Sequence, residues 1–155
     1  MADSVSLRDS VSSQMKEAMK AGDKIRVGAL RLIMSALKDR EIEARGAGKI
    51  VSRADELALL TKMLKSRQES AAIYAEAGRE ELASQENAEI AVISEFLPKQ
   101  MDEAAVVAAA NAAIASTGAA SIKDMGKVVN ALKTAHAGEM DFAKASAIVK
   151  GLLAG

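Results

Sequence analysis

The chain has 155 residues, half of them apolar, with 21 basic and 21 acidic side chains, one histidine and no cysteine. The missing thiols exclude disulfides, zinc–thiolate sites and cysteine catalysis, and a net charge of zero leaves no bulk field to attract nucleic acid or anionic lipid, so such contacts must be local. Good helix formers dominate and only Tyr74, Phe96 and Phe142 are aromatic, so the expected fold class is all-α.

In chain order, a first helix is expected to start at Ser4 or Ser6 as cap. It sets Val5, Leu7, Val11, Met15 and Met19 on one face and stops at Gly22. Asp23 caps a longer helix to about Arg45, with Val27, Leu30, Ile33, Met34 and Leu37 as its apolar stripe and Gly46-Ala47-Gly48 as a mobile loop after it. Ser52 with Asp55 is a variant of the capping box and opens a third helix carrying Leu57, Leu60, Met63, Leu64 and Ile73, ended by Ala77-Gly78. The fourth helix, Arg79 to Phe96, buries Leu82, Ile90, Ile93, Phe96 and Leu97 and leaves Glu80, Glu81, Glu86, Glu89 and Glu95 mostly to solvent.

Pro98 is the one proline, and because it disfavours helical geometry in the residue before it, the fourth helix should stop near Leu97. Beyond it Asp102 caps Glu103 to Thr117, Ser121 with Asp124 caps Ile122 to Ala137, and Asp141 caps Phe142 to Leu153, with Gly118 and Gly138 as stops. The expected architecture is an N-terminal four-helix domain over residues 1–98 and a small C-terminal three-helix bundle over residues 99–155. A bundle of that size buries only about 60% of its unfolded surface, so it should be marginally stable, and its many alanines imply close helix packing. Before Pro98 there are 15 basic and 16 acidic residues, and from Pro98 onward 6 and 5, so neither half is a polyelectrolyte.

The opening Met1-Ala2-Asp3-Ser4-Val5-Ser6 lacks the basic and then apolar character of a signal peptide. The most apolar stretch, Ala104 to Ala115, is too short to span a bilayer, so a cytoplasmic location and no membrane contact are expected. His136 lies near a predicted helix end, where capping or plain exposure is expected, and no G-x-S-x-G elbow accompanies it. Glu86 and Glu89 lack the histidine partner of a bundle metal site and read as a solvated acidic face; no metal is expected. The glycines match neither phosphate-loop template, and no cofactor and no catalytic residue is expected.

Two basic patterns stand out. Lys24, Arg31, Lys38 and Arg45 recur every seven residues and form one stripe along the second helix, although Asp39, Glu41 and Glu43 share that helix and favour a mixed, solvated face. Lys123 and Lys127 flank Met125-Gly126 at the start of the middle helix of the bundle, where a helix N-terminus with lysines suits phosphate. Gly126 either lets a backbone approach closely or serves tight helix packing. With so few aromatic residues there is no platform for base stacking, so any bound RNA is read by shape and backbone.

Lys65-Ser66-Arg67-Gln68-Glu69-Ser70, the run Tyr74-Ala75-Glu76-Ala77-Gly78-Arg79-Glu80-Glu81-Leu82-Ala83, Glu89-Ile90, Phe96-Leu97-Pro98 and Asp124-Met125-Gly126-Lys127-Val128 together resemble the YqeY-like family, and the similarity runs from about Leu7 to Leu153. That family is related to the tail region of the B subunit of glutamine-dependent aspartyl/glutamyl-tRNA amidotransferase, an RNA-contacting part. The resemblance implies a helical domain followed by a three-helix domain, and association with tRNA or with a tRNA-modifying enzyme. It places candidate RNA contacts at Lys123, Gly126 and Lys127. A label of carbon–nitrogen ligase with glutamine as amido donor would be inherited from the larger enzyme, whose kinase and transamidation domains are absent from this chain. Three readings follow: a non-catalytic tRNA-associated module, a part of glutamine-dependent amide transfer, and a helical protein-interaction module working through the groove expected between two helical domains.

Overall fold

The computed structural model describes residues 6–154, which form seven α-helices, one 3₁₀ turn and no strand. The protein is all-α. In α1 (Leu7–Ala21) the Ser6 hydroxyl accepts the Asp9 amide at 3.1 Å, and Gly22, at φ 71°, closes the helix in the left-handed region that glycine adopts without strain. The alternative cap Ser4 and the expected face residue Val5 lie outside the described residues. Asp23 accepts the Arg26 amide at 3.1 Å and opens α2 (Lys24–Gly46). Ser52 and Asp55 satisfy each other's backbone amides at 3.1 and 3.0 Å, the capping box expected from their spacing, at the head of α3 (Arg53–Glu76). Two residues beyond α3, Gly78 takes φ 72°, and α4 (Glu80–Ser94) runs back along α3.

Contacts divide the chain between Leu97 and Pro98 into two compact units. In the first, α2 packs against α1, α4 and, more lightly, α3. Leu30 and Ile33 of α2, Val11 of α1 and Leu60 of α3 are wholly buried, with Ile93 of α4 beside them. Two expected core residues point outward instead: Met19 is 58% exposed and Ile73 64%. The buried face of α1 follows Leu7, Val11 and Ala18, so Met19 falls one residue, or about 100°, off it. Near the end of α3 the smaller Ala71 takes the inward position. The fourth helix also ends at Ser94, short of Phe96. The amides of Glu95, Phe96 and Leu97 bond carbonyls three residues back at 3.1–3.2 Å, a tightened final turn that delivers the chain to Pro98.

The second unit holds α5 (Glu103–Thr117), α6 (Met125–Ala135) and α7 (Phe142–Ala154), each packed on the other two. Asp102 caps α5 through the Ala105 amide at 2.8 Å, and Asp141 accepts the Ala143 amide at 2.9 Å. The middle helix differs from expectation at both ends: Ile122–Asp124 is a 3₁₀ turn, and the α-helix stops at Ala135 with His136 as its cap. Its first turn tightens because the Asp124 carboxylate folds back onto the amides of Ala120 and Ser121, at 2.9 and 3.3 Å. Ala110 and Ala145 are fully buried beside Val128, Val149 and Leu132, so alanine does bring these helices close.

Replacing Leu30 by alanine opens a cavity at the centre of the first unit and should cost about 2–5 kcal/mol, whereas Ile73→Ala should stay within about 0.5 kcal/mol. Urea unfolding of both variants checks this, and equal losses would contradict the packing described.

Candidate functional site

Both expected basic patterns lie on the surface. In the second unit Lys123, in the 3₁₀ turn, and Gly126 and Lys127, in the first turn of α6, are exposed, and the inner face of α6 is fixed by the buried Val128 and Leu132. The anion-seeking end of this helix is partly answered from within. The Asp124 carboxylate already takes two backbone amides, and its other oxygen lies 4.0 Å from Lys127 Nζ. Those amides hold the Asp124 carboxyl below its usual range, with Lys127 a smaller influence in the same direction. Lys127 is 65% exposed, so it remains available to a ligand.

The two readings of Gly126 separate here. A Cβ built on it meets nothing within 4 Å, and its φ is not positive. Neither helix packing nor backbone geometry therefore requires glycine at this position, the second residue of α6. What glycine leaves is an open backbone surface between two lysines.

Along α2, Lys24, Arg31, Lys38 and Arg45 are all exposed and form the stripe that their spacing predicts. None of the four is held in an ion pair among the described residues. Of the three acidic residues on that helix, Glu41 is turned away from the stripe, bonded at 2.7 Å to Arg8 of α1.

The acidic face expected at Glu86 and Glu89 is corrected. Both carboxylates turn in toward Arg67 of α3, at 3.5 and 3.2 Å from Nη1, and their side chains are only 14% and 12% exposed. Arg67 and Glu89 lie at equal sequence distance on either side of Gly78, so an antiparallel α3–α4 hairpin brings them opposite each other. Read against the hairpin, the sequence carried that signal; read along one helix, it did not. Glu95 is exposed as expected, and from there it bonds Arg26 of α2 at 2.6 Å, whose guanidinium also reaches Gln14 of α1.

His136 caps α6 and sits 2.7 Å from Glu139 Oε2, a local pair with no serine in it. Among the described residues no group of three or more His, Asp or Glu is arranged to hold a metal ion, and no single helix is long and apolar enough to cross a membrane.

A chain built of two small helical units with lysine-flanked and arginine-flanked outer faces is, by class, an all-α protein whose features lie on its surface. It belongs to the Yqey-like protein family, whose model matches residues 8–153. It is 32% identical over 90 residues to a protein of Candida glabrata, covering 56% of this chain and 47% of that relative. A Lachancea thermotolerans protein is 32% identical over 102 residues, covering 62% and 52%. Both relatives, and one from Vanderwaltozyma polyspora at 29% identity over 90 residues, are named "Altered inheritance of mitochondria protein 41, mitochondrial". The chain spans about half the length of the curated relatives it matches. The cytoplasmic location expected from the sequence is thereby corrected, since these relatives are named as mitochondrial. A helical bundle carries no physical mark of its compartment, and the lack of a signal-like opening was too thin a ground.

Burial pushes the Glu89 carboxyl above its ordinary value of 4.5, Arg67 pulls it down, and Glu86 pushes it up again. A carboxyl raised in the folded state contributes stability below its unfolded pKa and loses that contribution as pH rises through the folded value. Arg67→Met removes the one opposing influence. The urea midpoint of this variant should therefore fall more steeply than the parent's as pH rises from 4.5 toward neutrality. Parallel curves would contradict the clamp.

Proposed function

We propose that this protein is a non-catalytic helical module that associates with tRNA, or with a tRNA-dependent amidotransferase, through the start of α6. The observation that carries the reading is Gly126: an exposed glycine in the first turn of α6, with no neighbour that a side chain would strike, between two exposed lysines. Glycine at such a place is explained by a partner that needs the backbone bare, and a phosphate-bearing partner matches the flanking charge. The likeness of Gly126-Lys127-Val128-Val129 to the glycine-containing helix of the amidotransferase B-subunit tail supports the same partner. A part in glutamine-dependent amide transfer would come through that assembly, with the chemistry supplied by its other subunits.

Titrating the chain with bulk tRNA at rising salt tests this. Binding should weaken as salt rises, with a slope set by the few phosphates contacted, and Lys123→Glu with Lys127→Glu should abolish it. Binding that ignores salt, or that survives the double reversal, would contradict the proposal. Gly126→Ala should raise stability by up to about 1 kcal/mol, because the added methyl meets open space. Gly126→Leu should weaken tRNA binding without unfolding the protein. If leucine there binds tRNA as the parent does, the bare backbone has no part in recognition.

A further inference from the structure

We propose that the outward face of α2 is a docking seam for an amphipathic helix of a partner protein, one that is acidic on the flank meeting the basic row. Ile25, Gly28, Leu32, Ser35, Asp39 and Ile42 follow one another at alternating steps of three and four residues, the spacing of the a and d positions of a coiled coil. All six are exposed, on the side of the helix away from the buried Leu30, Ile33 and Leu37. The aliphatic members are fully formed side chains standing in solvent: Ile25 is 63% exposed, Leu32 42% and Ile42 66%. The residue before each a position is basic in turn, Lys24, Arg31 and Lys38, and Arg45 continues the row at a rise of about 10.5 Å per step.

Gly28 repeats the anomaly of Gly126 on the other unit. A Cβ there meets nothing within 4 Å, and no positive φ demands glycine in the second turn of this helix. With Ser35 it leaves two hollows along the seam, each bordered by exposed aliphatic side chains, which large residues of a facing helix would fill. The seam ends beside a shallow depression lined by Glu41, Arg45, Lys49, Ile50 and Val51, where Ile50 is 92% exposed.

Charge selects the occupant. A second copy is disfavoured: an antiparallel pair about a two-fold axis sets the basic row against itself. A parallel pair sets it against positions 29, 36 and 43, of which Ala29 is buried and only Glu43 is acidic. An RNA backbone would answer the basic row but gains nothing from three aliphatic side chains and is repelled by Asp39 at the centre of the seam. A lipid surface would have to bury Asp39 and Ser35. A protein helix with glutamates facing the basic row, large apolar residues over Gly28 and Ser35, and a cation opposite Asp39 satisfies every position, and the Asp39 pairing fixes its register.

The test titrates the whole chain with a synthetic helical peptide carrying leucine at its core positions, glutamate on the flank that meets the basic row and one lysine placed to meet Asp39. Backbone amide shifts should change along Lys24–Gly46, and affinity should fall as salt rises. The variant Lys24→Glu/Arg31→Glu/Lys38→Glu/Arg45→Glu should bind this peptide at least about tenfold more weakly and should gain affinity for the lysine-flanked counterpart. Leu32→Asp, a single change at an exposed site, should also weaken binding and carries the test if the fourfold variant does not fold. Equal binding of both peptides, or shifts elsewhere, would overturn the proposal. So would displacement of the peptide by bulk tRNA or by phosphatidylglycerol vesicles, or a dimer of the chain that Leu32→Asp dissolves. Loss of tRNA binding by the α6 lysine variants leaves this outcome untouched, so the two sites fail separately.

Discussion

One face of α2 is the constraint on which the first unit depends. Leu30 and Ile33 are wholly buried and Leu37 nearly so, and α1, α3 and α4 all pack on the helix that carries them. A helix of 23 residues that gives one face to the core presents the other along its whole length to solvent. The basic row and the aliphatic seam therefore inherit their straightness from the packing behind them. In the second unit Val128 and Leu132 do the same for α6, turning Gly126 and its lysines outward.

Charge in this molecule orders the helices more than it strengthens them. Arg67 holds Glu86 and Glu89 across the α3–α4 hairpin, Arg26 joins the end of α4 to α2, and Arg8 meets Glu41 across the antiparallel α1–α2 pair. The more exposed pairs, Arg8–Glu41 and Arg26–Glu95, contribute little each, about 0–1 kcal/mol, but all of them fix which residues face each other. Glu41, Glu86, Glu89 and Glu95 are engaged between helices in this way, whereas the cations of the α2 stripe are not.

Helix starts and stops were legible because they are local. Ser52 with Asp55, Asp23, Asp102, Gly22 and Gly118 each act through bonds to neighbouring residues, and each sits where its spacing placed it. The inward face of α2 was legible for a similar reason, since five apolar residues at helical spacing define it without ambiguity. The fates of Glu86, Glu89, Met19 and Ile73 were not, because those depend on what lies across a hairpin or on where packing ends. The exposed seam of α2 escaped notice because Ile25, Leu32 and Ile42 read as ordinary apolar residues of an amphipathic helix until the core face is known. Gly126 was left between two readings by the sequence, and only the empty space around it separated them.

Taken together, the proposals describe a chain that works through two outward helix faces, each marked by a glycine its own fold does not require. The most direct measurement places a photoreactive amino acid at position 28, at position 126, and at position 73, also exposed, as a control, then identifies adducts formed in living cells. The account predicts RNA adducts from position 126, adducts with one defined protein from position 28, and neither from position 73. Adducts of the same kind and yield from all three positions, or none from the two glycine sites, would contradict it.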